Sequence, residues 1–105
     1  MTTFDEREKE FEARFKHDQE LQFKVKARRN KLFGLWAAEQ MALRGGEADA
    51  YAASVVAAQF GGGDGKIVEK VTTDLGAKRP GVTQGQIMAQ FERLGEEAKQ
   101  QVMQV

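Results

Sequence analysis

The chain has 105 residues, of which none is cysteine, one is histidine and one is proline. Without cysteine, disulfides and thiolate metal sites are excluded. The single histidine, His17, excludes catalytic triads and metal sites that need two imidazoles, and the Glu-x-x-His spacing of di-iron bundles does not occur. We therefore predict that the protein is not an enzyme and has no catalytic residue, no metal ligand and no cofactor.

Long apolar runs are absent as well. The longest stretch without a charged residue, Ala50 to Gly63, is rich in alanine and glycine and too weakly hydrophobic to span a bilayer. The first residues do not combine a basic region with an apolar run, so they do not resemble a secretory signal. These features predict a cytoplasmic protein that does not insert into a membrane.

Charge is balanced overall but unevenly distributed. Sixteen acidic and sixteen basic residues cancel, yet residues 5–20 hold seven acids against four bases, and residues 24–31 hold five bases and no acid. This polarity suits orientation on a partner with complementary patches. We expect no nucleic-acid binding, because helical spacing spreads the basic cluster over several faces and no aromatic stacking platform accompanies it.

The first fifteen residues carry strong local signals for a helix. Thr3 and Glu6 have the spacing of a capping box, in which each side chain accepts a hydrogen bond from the other residue's backbone amide. Acid-then-base pairs at i,i+4 each add about 0.2–0.5 kcal/mol in an isolated helix. These pairs are Asp5/Lys9, Glu10/Arg14 and Glu12/Lys16.

The apolar residues of this segment form a narrow stripe of Phe4, Phe11 and Phe15. A helix of about four turns is marginal alone in water, and each phenylalanine contributes about 1.5–3 kcal/mol only if some surface buries it. The stripe is compatible with packing on the chain's own core and with docking into a groove of a partner. The residues alone leave both alternatives open.

Four further helical patterns follow, and each has a start or stop signal. The first runs from Gln19 to Leu43, with Asp18 as its N-cap and Gly45-Gly46 as its end. Its predicted inner face comprises Leu21, Val25, Arg28, Leu32, Leu35, Trp36 and Leu43. The other patterns run from Glu47 to Phe60, from the expected cap Asp64 to Gly76, and from a second capping box, Thr83 and Gln86, through Ile87, Phe91, Leu94, Ala98 and Val102.

These patterns predict an all-α fold, since no stretch shows a sustained alternation typical of a strand. We interpret residues 19–105 as a four-helix bundle with Trp36, Phe60 and Phe91 as large core residues, and residues 1–18 as an N-terminal arm that is helical or partly disordered. His17-Asp18 is predicted to be a hinge between arm and bundle. The alternative is one continuous helix of about forty residues.

The run Gly61-Gly62-Gly63-Asp64-Gly65-Lys66 superficially suggests a phosphate-binding loop. A Walker loop needs glycine where Phe60 stands, and serine or threonine where Ile67 stands. We therefore interpret the run as a loop between helices.

A more specific signal comes from the residues up to Glu39. They read Met1-Thr-Thr-Phe-Asp-Glu-Arg-Glu, then Phe11, Phe15, His17-Asp18, Glu20 and Phe23, then Ala27-Arg28-Arg29-Asn30-Lys31-Leu32 and Gly34-Leu35-Trp36-Ala37-Ala38-Glu39. This pattern, with residues 98–102 near the C-terminus, resembles the zeta subunit, the small bacterial inhibitor of the rotary F-type ATPase. The middle of the chain agrees mainly in helix pattern and in Ala50-Tyr51-Ala52, and glycines 61–63 stand where members of that family tend to have an acidic stretch.

The resemblance implies a non-catalytic inhibitor whose N-terminal segment enters a catalytic α/β interface of the ATPase head near the central stalk. Such an inhibitor blocks rotation in the hydrolytic direction and spares synthesis. The residues that match the family's N-terminal pattern are Thr3, Phe4, Asp5, Glu6, Arg7, Phe11, Phe15, His17 and Asp18. The alternative is a helical interaction or scaffold protein with no effect on the ATPase. His17 can be interpreted as a pH sensor or, more simply, as a solvated histidine.

Overall fold

A computed structural model describes residues 9–10, 13–14 and 18–103. Between residues 18 and 103 it contains four α-helices: α1 (Gln19–Gln40), α2 (Gly45–Ala58), α3 (Asp64–Lys78) and α4 (Gln84–Met103). A 3-10 turn, Gln59–Gly61, joins α2 to α3. No strand occurs within the described ranges. The predicted all-α class and the four-helix bundle are confirmed.

The central helix is α1, which contacts each of the other three helices. It ends at Gln40 because Ala42 adopts a left-handed conformation with φ 62°, and the Leu43 amide then donates to the Ala38 carbonyl at 2.9 Å. The predicted end at Gly45-Gly46 is therefore wrong, and Gly45, with φ 55°, instead begins α2.

The inner face of α1 is rotated from the predicted one. Of the predicted inner residues only Val25 is buried, while Leu32 and Trp36 pack at the margin of the core and Arg28 is exposed. The residues that α1 buries are mostly small or polar: Val25, Arg29, Asn30, Phe33, Gly34, Ala37 and Ala38. These residues follow one another at i,i+3 and i,i+4 spacing and form a broad stripe along α1. A broad stripe is expected for a helix that packs against three other helices.

Small residues let α1 and α2 approach closely. A Cβ atom placed on Gly34 would lie 2.7 Å from the Cα of Ala52 and 3.2 Å from the Cβ of Val55. Ala52 and Val55 are the buried residues of α2. Glycine at position 34 is therefore required by packing between the two helices.

One hydrophobic cluster joins all four helices. Its larger members are Phe33, Val55, Ile67, Val71, Leu75, Ile87, Phe91 and Leu94. The prediction of Phe91 as a core residue is confirmed. Trp36 is half-buried and stacks on Phe33 with ring centroids 5.9 Å apart.

The prediction of Phe60 as a core residue is wrong, because its side chain is 75% exposed. The α-helix stops at Ala58, and the 3-10 turn that follows changes the direction of the next side chains. Gln59 points toward α1, where its side-chain oxygen accepts from Asn30 at 2.8 Å. Phe60 consequently faces solvent.

The last two helices follow most of their predicted signals. Thr83 and Gln86 form the predicted capping box, with bonds of 2.9 Å and 3.1 Å, and Ile87, Phe91, Leu94 and Ala98 are buried. Gly76 does not end α3, which continues to Lys78. The helix stops there because Arg79 precedes Pro80, and a residue before proline disfavours the helical conformation.

Tyr51 links α2 to α3. Its hydroxyl donates to the Asp74 carboxylate at 2.8 Å, and the Lys70 ammonium lies 3.1 Å from the same oxygen. Burial, followed by the hydrogen bond to Asp74, raises the pKa of Tyr51 above its usual value. Tyr51 therefore remains a neutral donor that holds the two helices together.

Candidate functional site

The sequence places the functional residues in the arm, and most of them lie outside the described residues. This applies to Thr3, Phe4, Asp5, Glu6, Arg7, Phe11, Phe15 and His17. Their expected contact with a partner stays a prediction, and so does the division of the chain at residue 18. Asp18, the last residue of the predicted site, is described.

Asp18 is the N-cap of α1, as predicted. Its backbone is extended, with φ −108° and ψ 102°, and its side chain accepts from the Leu21 amide at 3.1 Å. On the other side, its own amide donates to the Arg14 carbonyl at 2.8 Å. A continuous helix through Asp18 is therefore excluded, and the predicted hinge agrees with the break at this residue.

The described part of the arm is helical and solvent-exposed. It consists of Lys9, Glu10, Ala13 and Arg14. These four residues are polar or small, as expected for positions off the phenylalanine stripe. They show that helical conformation occurs on the N-terminal side of Asp18.

The five bases of residues 24–31 differ in burial, and Lys26 is half-buried. Lys24, Arg28 and Lys31 are exposed on α1, whereas Arg29 is only 8% exposed. The Arg29 guanidinium lies 2.8 Å from Asp64 and 4.3 Å from the centroid of the Phe91 ring. The sequence predicts that these bases lie on several faces of the helix, and the structure adds that Arg29 belongs to the interior.

Arg29 is the centre of a polar cluster, which we define as Arg29, Asn30, Gln59 and Asp64 and of which Arg29 and Asn30 are buried. Arg29 donates to both Asp64 oxygens, at 2.8 Å and 3.3 Å, and to the Gln59 side chain at 3.3 Å. Asn30, which is fully buried, accepts from Arg29 at 3.0 Å and donates to Gln59. The hydrogen bond from Arg29 lowers the pKa of Asp64.

This cluster explains the glycine-rich loop. The prediction that Asp64 caps α3 is wrong. Gly63 is the N-cap, with φ 74°, and the Asp64 carboxylate pairs with Arg29. The loop is thus held to α1 by an ion pair between residues far apart in sequence. Its glycines provide a turn, and we assign them no ligand.

The exposed side of α1 borders a cleft of about 720 Å³, which we call the basic cleft. Its cationic lining is Arg14, Lys24, Arg28 and Lys31, and its other lining residues are Leu21, Phe23, Ala27, Val56, Gln101, Val102 and Met103. No acidic residue is among the described residues that line it. The cleft therefore combines apolar surface with positive charge.

Two exposed phenylalanines lie near this cleft, and sequence reasoning did not identify them as surface residues. Phe23 on α1 is 52% exposed and lies 6.1 Å from Phe60, measured between ring centroids. Phe23 departs from the buried positions Val25, Arg29 and Phe33, which recur at i,i+4. This spacing of buried positions would have predicted that Phe23 lies outside the core. The sequence analysis assigned a different inner face to α1 and therefore did not make that prediction.

Among the described residues, no group of three or more His, Asp or Glu side chains is placed to hold a metal ion. No helix among those described is both long and apolar enough to cross a membrane.

Comparisons with known proteins point to one family. The family model described as ATPase inhibitor subunit zeta matches residues 1–101. A solved chain described as a solution NMR structure is 45% identical, with a TM-score of 0.70, and the match covers 80% of this chain and 96% of that chain. No match is found among curated proteins.

Proposed function

Because this chain belongs to the ATPase inhibitor subunit zeta family, we propose that it blocks ATP hydrolysis by the F-type ATPase by inserting its N-terminal helical arm at a catalytic α/β interface. The arm is residues 1–18, and the bundle, residues 19–105, carries it. The partner is the ATPase head near the central stalk. The protein is cytoplasmic and associates peripherally with the membrane-bound ATP synthase.

The observation that carries this proposal is that the hydrophobic clusters of the described chain contain no arm residue. Asp18, where arm and bundle meet, caps α1 by accepting from the Leu21 amide, so one of the first amides of α1 is satisfied at the junction itself. Both hydrophobic clusters of the described chain begin at Leu21 or later. The bundle can therefore fold with the arm available for a partner.

The proposed contact residues suit insertion into a groove. Phe4, Phe11 and Phe15 provide the apolar stripe, and the capping residues Thr3 and Glu6 favour a helix before binding. A segment with local helix signals loses less conformational entropy when it orders on a partner. Asp5, Arg7, His17 and Asp18 complete the proposed contact set with polar groups at its ends and flanks.

Inhibition of this kind needs no reactive group. A helix that binds one conformation of the catalytic interface more tightly than the others shifts the enzyme toward that conformation. Hydrolysis stops if each catalytic cycle requires the interface to leave the conformation that the helix has bound. The size of the effect is the difference in binding free energy between the conformations.

The scaffold alternative is favoured by one observation, the basic cleft. Even without Arg14, a surface with three cationic side chains of α1 and several apolar lining residues is suited to an acidic helical partner. In that case the chain would bind a partner without any effect on ATP hydrolysis. Inhibition of ATP hydrolysis is therefore the measurement that distinguishes the two functions.

Steady-state ATP hydrolysis by the cognate ATPase, depleted of its inhibitor, tests the proposal. The enzyme is titrated with the full chain and with a chain that begins at Gln19, whose helical content is verified by circular dichroism. Inhibition by the full chain alone supports insertion of the arm. Inhibition by both chains would place the activity in the bundle, and inhibition by neither would favour the scaffold.

A further inference from the structure

The charges at the basic cleft have no counterpart in the described structure. The side chains of Lys24, Arg28 and Lys31 are exposed, and the ion pairs found among the described residues involve none of them. Since no acid is among the described lining residues, these bases raise the local positive potential and favour an acidic ligand.

The arm has the matching charge. Residues 5–20 hold seven acids against four bases. On a helix, positions 8, 11, 12 and 15 share one face, so Glu8 and Glu12 lie beside Phe11 and Phe15. That face presents two rings and two carboxylates, and the cleft presents apolar surface and three lysine or arginine side chains of α1.

The geometry brings the arm to the mouth of the cleft. Arg14 is itself a lining residue, and its carbonyl accepts from the Asp18 amide at 2.8 Å. The extended backbone of Asp18 lets the chain change direction there. From Leu21 to Lys31 the cleft follows α1 over about 15 Å, which is also the length of a helix over residues 5–15.

We propose that residues 4–17 fold back along α1 in the free protein and occupy the basic cleft, with Phe11 and Phe15 on its apolar lining and Glu8 and Glu12 beside Lys24, Arg28 and Lys31. The phenylalanine stripe is then covered within the chain. If the proposed function holds, the ATPase competes with the cleft for the same stripe. The apparent affinity for the ATPase is then reduced by the fraction of chains in which the arm is docked.

Paramagnetic relaxation in the full chain tests the docked arm without the ATPase. Lys9→Cys introduces the only cysteine of the chain, at an exposed position opposite the stripe, and it is coupled to a nitroxide. We expect the amide signals of residues 27–31 and of Val56 to lose intensity. Signals of residues 68–73 on α3 should keep theirs, since α3 does not border the cleft.

Charge-reversal variants provide the matched control. Replacing Lys24, Arg28 and Lys31 together by glutamate should restore the intensities of residues 27–31. The same three-charge change on α3 and α4, Lys66→Glu with Lys78→Glu and Arg93→Glu, should leave the signal loss in place. In the labelled chain without charge reversal, raising NaCl from about 0.05 M to about 0.5 M should restore the amide signals of residues 27–31, because exposed ion pairs are screened.

Two results would overturn the proposal. The first is full intensity at residues 27–31 in the labelled chain at low salt. The second is equal signal loss when nitroxide-labelled chain is mixed with isotope-labelled chain that carries no nitroxide, since the cleft would then bind the arm of a second copy. Both results concern the chain alone, so neither decides whether it inhibits the ATPase.

Discussion

Phe33 is the largest fully buried side chain among the described residues. It is fully buried, stacks on Trp36 and meets the edge of Phe91 with ring centroids 5.2 Å apart. Such aromatic contacts add about 0.5–1.5 kcal/mol beyond the area that the rings bury. Phe60 has the same chemistry but is exposed, so the two residues form a natural pair for comparison.

We expect Phe33→Ala to lower the free energy of unfolding by about 3–5 kcal/mol, because it leaves a cavity among side chains of all four helices. Phe60→Ala removes the same atoms from the surface and should change the free energy by less than about 0.5 kcal/mol. Urea denaturation followed by circular dichroism measures both. Equal shifts in the two variants would contradict the assigned core.

Glycine has opposite roles at positions 34 and 76. Gly34→Ala should lower stability by about 1–3 kcal/mol, because its methyl group would meet the Ala52 backbone at the contact of α1 with α2. At Gly76 within α3 a methyl group meets nothing within 4 Å, so Gly76→Ala should raise stability by about 0.5–1 kcal/mol. Thermal unfolding separates these variants, and a gain from Gly34→Ala would show that the helices can move apart without cost.

At the scale of the elements, the polar cluster decides how α3 joins the bundle. The Arg29–Asp64 pair connects α1 to the first residue of α3, and Gln59 bonds both partners from the turn after α2. Arg29 is largely desolvated whereas the Asp64 side chain is 49% exposed. Removal of the Asp64 carboxylate should therefore lower the free energy of unfolding by more than the loss of a surface ion pair and by less than the loss of a fully buried one.

Asp64→Asn should lower the free energy of unfolding by about 1–2 kcal/mol at pH 7. The pKa of Asp64 is lowered in the folded state from 3.8, so its ionised form stabilises the fold above that pH, and this contribution is lost as the pH falls through the lowered value. The difference from the natural chain should therefore shrink below about pH 4.

Denaturation midpoints measured from pH 7 down to about pH 3 check this dependence. Asp49→Asn on the exposed side of α2 is the matched control, since no base among the described residues pairs with it. A difference for Asp64→Asn that stays constant with pH would show that the pair does not carry the effect.

At the scale of the whole molecule, bundle and arm are expected to have separable functions. Phe11 lies in the middle of the arm's stripe, and the described core begins at Leu21. Phe11→Ala should weaken inhibition of ATP hydrolysis and leave the free energy of unfolding of the bundle nearly unchanged, because we assign Phe11 to the contact with the ATPase and the described core is complete without it. Phe60→Ala, the exposed control, should change neither.

Inhibition curves and denaturation curves of the same preparations test this separation. A large loss of stability in Phe11→Ala would place Phe11 in the core of the bundle. Normal stability combined with full inhibition would show that the stripe is not the inhibitory contact.

Local signals in the sequence were sufficient for the presence of the four helices and for two of their N-terminal caps, but not for the ends of α1 and α3 or for the cap of α3. Asp18 and the Thr83–Gln86 box act within a few residues of themselves, and α4 shows its inner face directly because one side of it is apolar. The resemblance of the first forty residues indicated the family that the comparison then showed. The contact residues of the arm remain predictions, since most lie outside the described chain.

Tertiary structure alone decided which side of α1 faces inward, the burial of Arg29 and the exposure of Phe60. Arg29 enters the interior because Asp64, thirty-five residues later, supplies a carboxylate and Phe91 supplies a ring. Phe60 faces out because Gln59 is bonded to the buried Asn30. Hydrophobic periodicity describes one helix in isolation, whereas these outcomes depend on partners that only folding brings within hydrogen-bonding and van der Waals distance.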